Sequence, residues 1–113
     1  MKKEGLKKTS EFKRVFSQGK SRYGKYTIIY IFPGQQEANR VGIIVKKSIG
    51  KATQRNRIKR RLREIWRLKG KKIISGSDVI VIAKKEILEA PFLEIEQEMV
   101  RLLERDSKTR IKE

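Results

Sequence analysis

The 113-residue sequence contains no cysteine and no histidine. Without cysteine the chain has neither disulfides nor thiolate metal sites. Without histidine it lacks the usual zinc ligand, the usual general base near neutral pH and any Ser–His or Cys–His pair. Acidic residues are also scarce, with 13 Asp and Glu against 30 Lys and Arg. These absences argue against most metalloenzymes and against hydrolases that use a nucleophile and a histidine.

The hydropathy pattern gives no sign of a membrane segment. No apolar run approaches the ~20 residues that a spanning helix needs. The start of the chain, from Met1 to Leu6, has no apolar stretch behind its charges and does not resemble a signal peptide. We therefore expect a cytoplasmic protein without membrane contact.

The charge is strongly positive and unevenly distributed. The formal net charge is +17 and the isoelectric point is about 10.5, values typical of a nucleic-acid-binding domain. Residues 1–85 carry 25 basic and 5 acidic side chains, whereas residues 86–113 carry 5 and 8. The length fits one domain, 1–113, and the binding charge is expected upstream of residue 86.

The segment from Lys46 to Lys72 holds thirteen of the cations and one acid, Glu64. Within it, Ile58, Leu62, Ile65 and Trp66 have the spacing of one buried helical stripe. We predict a helix over 53–69, with Thr53 as its N-cap and Gly70 as its C′ residue. Like charges four residues apart cost about 0.2–0.5 kcal/mol per pair, and a solvated face normally mixes signs. The pattern therefore favours a polyanion bound at this helix over a merely solvated face.

Periodicity and turn residues predict the remaining elements. Before the basic helix we expect a mobile basic arm at 1–8, a helix capped by Thr9 or Ser10 and ended by Gly19, a possible short strand at 20–22, and strands at 26–32 and 40–45. After it we expect a central strand at 78–83 and a helix starting near Pro91, with a frayed tail at 107–113. The order α-β-β(-β)-α-β-α predicts an α+β fold, an α/β sandwich whose small mixed sheet is covered by helices on one side. The strands at 26–32 and 40–45 are expected to form an antiparallel hairpin.

Large side chains occupy both faces of the strand at 26–32. One face carries Tyr26, Ile28, Tyr30 and Phe32, and the other carries Thr27, Ile29 and Ile31. With helices on one side, one face stays open. Its rings either stack on nucleobases, at ~1–3 kcal/mol per base, or simply belong to the core.

The sequence offers no nuclease centre of its own. Two-metal phosphodiester chemistry needs clustered carboxylates. Between Glu11 and Asp78 the acids are Glu37 and Glu64, and the later ones follow the spacing of a helix surface. Lys84 and Lys85, after the third predicted strand, either contact phosphate or solubilise the strand end.

Several motifs, in order and spacing, resemble the bacterial ribonuclease P protein component. The basic motif is Arg55-Asn-Arg-Ile-Lys-Arg60, followed by Arg63 and preceded by Gly50-Lys-Ala. The flanking motifs are Glu11-Phe-Lys-Arg-Val-Phe16 with Gly19, Arg40-Val-Gly-Ile, and Asp78-Val-Ile-Val-Ile-Ala-Lys84. Together they span most of residues 9–103.

The resemblance implies an auxiliary subunit of an RNA-catalysed endonuclease that removes the 5′ leader from precursor tRNA. The chain itself would be non-catalytic, and Mg²⁺ would be held by the RNA partner and the substrate. The implied partners are the catalytic RNA and precursor tRNA, with no obligate protein partner. The implied fold joins two parallel strands through the basic helix by a left-handed crossover, an exception to the usual handedness.

The resemblance also implies two sets of site residues. The candidates for contact with the catalytic RNA and its phosphates are Lys51, Arg55, Asn56, Arg57, Lys59, Arg60, Arg63 and Arg67. The candidates for the cleft that binds the leader are Phe12, Phe16, Ile28, Tyr30 and Lys47. Asn56 either reads a base edge or ribose hydroxyl or only belongs to the first turn. Arg61 departs from the pattern, since related chains often have an apolar residue there.

Two other classes of function remain open from the residues alone. A ribosomal or other structured-RNA-binding module would bind mature tRNA and leader-bearing precursor alike. A protein-only nuclease is disfavoured, because the chain lacks a base and a metal cage.

Overall fold

The computed structural model describes residues 5–6, 8–34 and 38–111, with side chains up to residue 105. The helices are α1 (Thr9–Gln18), α2 (Ala52–Ile65), the single turn α3 (Lys71–Ile73) and α4 (Phe92–Ile111). The strands are β1 (Lys20–Tyr23), β2 (Thr27–Pro33), β3 (Arg40–Ile44) and β4 (Ser77–Ala83). Short 3₁₀ turns at Lys47–Ile49 and Lys85–Glu89 precede α2 and α4. The α+β class, the order of elements and the short strand near 20–22 are as predicted.

The strand β4 lies in the interior of a mixed four-stranded sheet. The order is β1-β2-β4-β3, with β4 antiparallel to β2 and parallel to β3. Six of its seven residues are buried, as its continuous apolar run predicts. The expected hairpin between β2 and β3 is wrong, because β4 is apolar on both faces and inserts between them.

The two faces of the sheet carry different helices. On one face, Ile29 and Val81 belong to the main core with Leu62 of α2 and Met99 of α4. On the other face, Ile80 packs with Val15 of α1. The expectation that helices cover only one side is therefore wrong. Because α1 is about 15 Å long at 1.5 Å per residue, it covers only part of the second face.

The start of α1 differs from the expectation, while its end agrees with it. Lys8 is the N-cap, and its N–H donates to Oε1 of Glu11 at 3.1 Å. Gly19 ends the helix, but its φ is −82°, so no left-handed conformation is involved. A Cβ at Gly19 would lie 2.5 Å from the carbonyl oxygen of Val15 and 2.9 Å from that of Ile31. Glycine is required there by the close approach of α1 to β2.

Both predicted ends of the basic helix are wrong. Lys51 rather than Thr53 is the N-cap, and its N–H donates to Oε1 of Gln54 at 2.9 Å. After Ile65 the chain continues through a π-helical turn, Trp66–Gly70, into α3. Gly70 has helical angles, φ −60° and ψ −48°, and a Cβ on it would overlap the ring of Trp66. The glycine makes room for the indole and does not stop the helix.

The described part of the predicted N-terminal arm is packed. Gly5 bridges to Val41 of β3, and the N–H of Leu6 donates to the carbonyl oxygen of Val41 at 3.1 Å. Leu6 is buried. Residues 1–4 and 7 of the arm lie outside the described residues. At the other end, α4 includes 107–111, which we expected to fray, while residues 112–113 and all side chains from 106 onward lie outside the described residues.

The segment that contains α2 connects β3 to β4, which are adjacent and parallel. The left-handed sense of this crossover stays a prediction from the resemblance. Within 5–6, 8–34 and 38–111, no helix combines the length and apolarity needed to cross a bilayer.

Candidate nucleic-acid interface

The helix α2 packs its apolar stripe against the core and turns most of its cations outward. Ile58, Leu62, Ile65 and Trp66 are buried. The exposed positions of the candidate RNA-binding set are Lys51, Asn56, Arg57, Arg60, Arg63 and Arg67, and the half-buried ones are Arg55 and Lys59. Burial of the stripe therefore orients a continuous basic surface to solvent, which we call the basic face of α2.

Few of these cations are neutralised by the protein. Nη2 of Arg67 donates to Oε2 of Glu64 at 2.8 Å, and Nε of Arg55 donates to the carbonyl oxygen of Gly50 at 3.1 Å. In the described part of the chain, Arg57, Lys59, Arg60 and Arg63 have no acidic partner. Their mutual repulsion is relieved when a polyanion binds.

The N-terminus of α2 adds donors to the same end of the basic face. The cap residue Lys51 is exposed, and apart from its own N–H, which donates to Gln54, no amide of the first turn has a side-chain acceptor among the described residues. Since the first amides of a helix have no intrahelical acceptor, they and the positive end of the helix dipole favour an anion. Lys51 and Arg55 flank this end, so the geometry suits a phosphate group.

Arg57 and Arg61 lie on the flank of α2 that faces α4. They rim a small cavity whose apolar lining comes from α2, the 3₁₀ turn before α4, and α4. The apolar residues are Ile58, Leu62, Ile87, Leu88 and Ile95. The half-buried Arg61 stem therefore covers apolar surface at a position where the resemblance expects an apolar side chain.

Phe16 of α1 and Tyr30 of β2 meet on the second face of the sheet. Their ring centroids are 5.0 Å apart and the rings are nearly perpendicular, at 84°, which is a favourable edge-to-face geometry. Phe16 is 39% exposed and Tyr30 is half-buried. Phe12 lies deeper, over Gly42, where a Cβ would approach its ring to 2.7 Å. Of the three predicted rings, Phe16 is exposed, and Phe12 and Tyr30 are half-buried.

Beyond this ring pair a cross-strand row remains half-buried. Ile28 of β2 lies opposite Ile82 of β4, which in turn pairs with Ile44 of β3. We call Phe16, Tyr30 and this isoleucine row the sheet cleft. Period-two alternation placed Ile28 on this face, but Ile44 and Ile82 could be added only once the sheet order was known.

A groove continues from the isoleucine row to the ends of β3 and β4. Its polar lining includes Lys46, Ser48, Lys84 and Lys85. Lys47, the cation predicted for the cleft, is exposed in the 3₁₀ turn but does not belong to this lining. The neighbouring Lys46 lines the groove instead. Lys84 is also structural, because its Nζ donates to the carbonyl oxygen of Gly24 at 2.9 Å.

An ion-pair network that the sequence did not indicate fixes α1 to the sheet. Arg40 of β3 bonds to Asp78 of β4 through two hydrogen bonds, and its Nη1 reaches Oε2 of Glu11 in α1 at 2.7 Å. The bonds to Asp78 are the main cause of a raised pKa for Arg40. Because Glu11 belongs to α1, this network anchors the helix that carries Phe16 of the sheet cleft.

A second carboxylate, Glu98 of α4, holds the turn between β1 and β2. Its oxygens accept hydrogen bonds from the N–H groups of Lys25, Tyr26 and Thr27 and from the Thr27 hydroxyl, at 2.6–3.2 Å. A Cβ on Gly24 would overlap this carboxylate. Tyr26, expected on the face of Tyr30, instead belongs to the main core and donates its hydroxyl to Glu94 at 2.5 Å. It precedes β2, so strand alternation does not apply to it.

These contacts account for several of the acidic side chains near the sheet. Glu11 and Asp78 bind Arg40, and Glu98 binds backbone amides. Among the described residues, no group of three or more carboxylate side chains is arranged to hold a metal ion.

The whole chain is similar to proteins of one family. The model of the ribonuclease P family matches residues 1–106. The ribonuclease P protein component of Caldanaerobacter subterraneus subsp. tengcongensis is 41% identical over 100 residues, covering 88% of this chain and 86% of that protein. That of Clostridioides difficile is 41% identical over 103 residues, covering 90% of each. The chain belongs to the ribonuclease P protein component family.

Solved structures of the ribonuclease P protein agree with the fold. The protein from Thermotoga maritima superposes with a TM-score of 0.82 at 33% identity, covering 91% of this chain and 97% of that chain. The protein from Staphylococcus aureus gives a TM-score of 0.82 at 30% identity, covering 93% and 96%. As a ribonuclease P protein component, the chain is a subunit of the tRNA-processing enzyme ribonuclease P. The family resemblance and the fold class drawn from the motifs are thereby confirmed.

Proposed function

We propose that the protein assists a catalytic RNA in removing the 5′ leader from precursor tRNA by binding both RNAs at once. The basic face of α2 binds the catalytic RNA near the substrate. The sheet cleft binds the single-stranded leader. The two contacts together raise substrate affinity and broaden the range of precursors that are processed.

The observation that carries this proposal is the placement of the two surfaces on different sides of one sheet. The buried stripe of α2 packs with Ile29 and Val81, whereas Tyr30 and Ile28 belong to the opposite face. An RNA on the outer side of α2 therefore leaves the cleft free for a second strand.

The chemistry of each surface suits its proposed ligand. Guanidinium groups such as those of Arg60 and Arg63 bind phosphate oxygens bidentately and keep their charge at any working pH. The Phe16 and Tyr30 rings and the isoleucine row offer apolar and aromatic area for unpaired bases. Lys46, Lys84 and Lys85 line the adjoining groove and suit the leader backbone. Stacking of this kind tolerates many base sequences, which fits a subunit that serves many precursors.

The proposal assigns bond breaking to the RNA. The reaction is Mg²⁺-dependent phosphodiester hydrolysis, with Mg²⁺ held by RNA and substrate phosphates. The buried carboxylates of Asp78 and Glu98 are engaged by Arg40 and by backbone amides. The protein residues bind, orient and neutralise charge. We place this work in the cytoplasm and propose no obligate protein partner.

Reconstitution with the large RNA and Mg²⁺ tests the proposal. The protein should lower the Michaelis constant for leader-bearing precursor tRNA, and the protein without RNA should cut nothing. Phe16→Ala should weaken the binding of leader-bearing precursor more than the binding of leaderless tRNA, because it removes a partly exposed ring. Leu93→Ala, which truncates a 59% exposed side chain on α4, is the matched control.

Three outcomes would each contradict one part of the proposal. Cleavage by the RNA-free protein would contradict the assignment of chemistry to RNA. Equal binding of leader-bearing and leaderless tRNA by the wild-type complex would favour a general structured-RNA-binding module instead. Equal losses for both substrates in Phe16→Ala would mean that this ring only fills the core.

A further inference from the structure

Tyr23 is an exposed aromatic residue beside the sheet cleft. It ends β1 and lies directly opposite Ile28, on the same face as Ile82 and Ile44. Its side chain is 65% exposed, the highest fraction among the large hydrophobic side chains that the structure describes. The isoleucine row therefore continues onto β1, the outer strand on the side away from β3.

Tyr23 is also joined to the ring pair of the cleft. It is a diagonal cross-strand neighbour of Tyr30 on the same face, since Tyr30 pairs with Ser21, and Tyr30 contacts Phe16 edge to face. Three aromatic side chains thus form a continuous ridge across α1, β2 and β1. The register of β1 with β2 thus places the ring of Tyr23 beside the cleft, and most of its surface is open to solvent.

We propose that Tyr23 forms an additional nucleobase-binding subsite, which extends the sheet cleft by about one nucleotide of the leader toward the edge strand β1. The inference rests on the proposed leader-binding function of the cleft. The subsite takes an unpaired nucleotide of any base type, since an aromatic face stacks on every base.

Charge and continuity favour a nucleotide over a protein at this position. The chain as a whole carries a net charge of +17, which attracts a phosphodiester backbone. A second copy of the chain would bring the same net charge of +17 to the contact, and repulsion would oppose that association. The row from Ile44 to Tyr23 is also continuous with the surface already proposed for the leader.

The test uses the reconstituted ribonucleoprotein and precursors whose leaders are lengthened one nucleotide at a time. Wild type, Tyr23→Ala, Tyr23→Phe and the exposed-residue control Leu93→Ala are compared. The affinity of each protein should rise with leader length and then level off, and wild type should level off one nucleotide later than Tyr23→Ala. At full leader length wild type should bind roughly fivefold or more tightly than Tyr23→Ala. Tyr23→Phe should keep most of this gain, because the stacking ring remains. An abasic nucleotide at the added position should weaken precursor binding by wild type and leave binding by Tyr23→Ala unchanged.

The possible results separate the inference from the function on which it rests. A wild-type curve without any dependence on leader length would overturn both. If wild type depends on leader length and Tyr23→Ala follows the same curve, the subsite does not exist. An equal loss in Tyr23→Ala at every leader length would reduce Tyr23 to a support for Tyr30. Light scattering that shows a dimer lost in Tyr23→Ala would assign the ring to self-association instead.

Discussion

Arg40 donates two hydrogen bonds to Asp78, from Nε to Oδ1 at 2.9 Å and from Nη2 to Oδ2 at 2.8 Å. The Asp78 side chain is 3% exposed and the Arg40 side chain 30%. Through its third contact, to Glu11, the same guanidinium ties the parallel pair β3 and β4 to α1. One side chain thus joins three elements that surround the sheet cleft.

Arg40→Ala should destabilise the fold by about 2–3 kcal/mol. The substitution removes both hydrogen bonds that Arg40 donates to the buried Asp78 carboxylate, and breaking a fully buried pair costs roughly 3–5 kcal/mol. We expect a smaller loss because the Arg40 side chain is partly exposed. Urea unfolding measures the effect. Arg40→Lys keeps the charge but not the two-point geometry, so it should fall between wild type and alanine. A midpoint equal to that of wild type for the alanine variant would show that the network does not stabilise the fold.

Glu98→Gln should also destabilise the protein, by about 1–3 kcal/mol, because an amide nitrogen would face backbone N–H donors that now share a carboxylate. The change keeps the side-chain shape, so packing of the neighbouring Met99 is retained. Thermal unfolding measures the loss. Glu96→Gln, two residues earlier at a more exposed position of α4, is the control and should be near neutral. Comparable losses in the two variants would argue against the amide-binding role.

Stability should fall at alkaline pH, in part through Tyr26. Its hydrogen bond to Glu94, followed by burial and the charges of Glu94 and Glu98, raises the pKa of Tyr26 above 10.0. Since the folded state favours the neutral phenol, this stabilisation is complete below about pH 10 and is lost as pH rises through the raised pKa. Tyr26→Phe should make the decline above pH 10 shallower. It should not abolish the decline, because the hydrogen bond with Tyr23 also raises the pKa of Tyr30. Unfolding free energies across pH 8–11 for both proteins check this, and parallel curves would refute it.

Arg60→Ala and Arg63→Ala should weaken assembly with the large RNA and lower the salt dependence of binding. Each lost phosphate contact reduces the slope of log affinity against log salt by roughly 0.7–0.9. Neither arginine is paired with an acid among the described residues, so removal frees no carboxylate. Filter binding from low to moderate salt gives the slopes. Arg101→Ala, an exposed charge change on α4, is the control and should leave the slope intact. An unchanged slope in Arg60→Ala and Arg63→Ala would exclude direct phosphate contact.

Arg61→Leu should stabilise the protein by about 0.5–2 kcal/mol, as surface and cavity-filling changes often do. Leucine would extend the apolar lining formed by Ile87 and Ile95, and the repulsion from Arg57 four residues earlier would disappear. Thermal unfolding measures the gain in stability. The salt dependence of RNA binding should stay unchanged, because Arg61 is not assigned a phosphate contact. A lowered slope would instead show that Arg61 contacts phosphate, as its neighbours are proposed to do.

Local pattern was sufficient to predict most elements of the fold. The stripe from Ile58 to Trp66 and the helix after Pro91 follow from helical periodicity, and β4 follows from its continuous apolar run. These patterns depend only on residues that are close together in the sequence. Helix ends were less predictable. Lys51 is not a favoured cap residue, and Gly70 has helical angles because it packs against Trp66, a contact that no spacing rule reports.

Strand order and the residues of the cleft depended on contacts between distant segments. The pairing of Ile28 with Ile82 joins positions 54 residues apart, and the contact of Arg40 with Asp78 joins positions 38 apart. Alternation gives the face of a residue within its strand but not the neighbour of that strand. For this reason the sequence indicated Phe16, Ile28 and Tyr30, and missed Lys46, Ile82 and the guanidinium network.

The interior position of β4 has a consequence for synthesis on the ribosome. β2 and β3 are made before residues 77–83, and the pairing of each with β4 forms only when this later strand is available. Until then a nascent chain can form little more than the β1–β2 hairpin and isolated helices. The cationic α2 is thus translated ahead of the strand that completes the sheet beneath it, close to ribosomal RNA. Folding of this subunit must therefore conclude after its most strongly charged helix has already been synthesised.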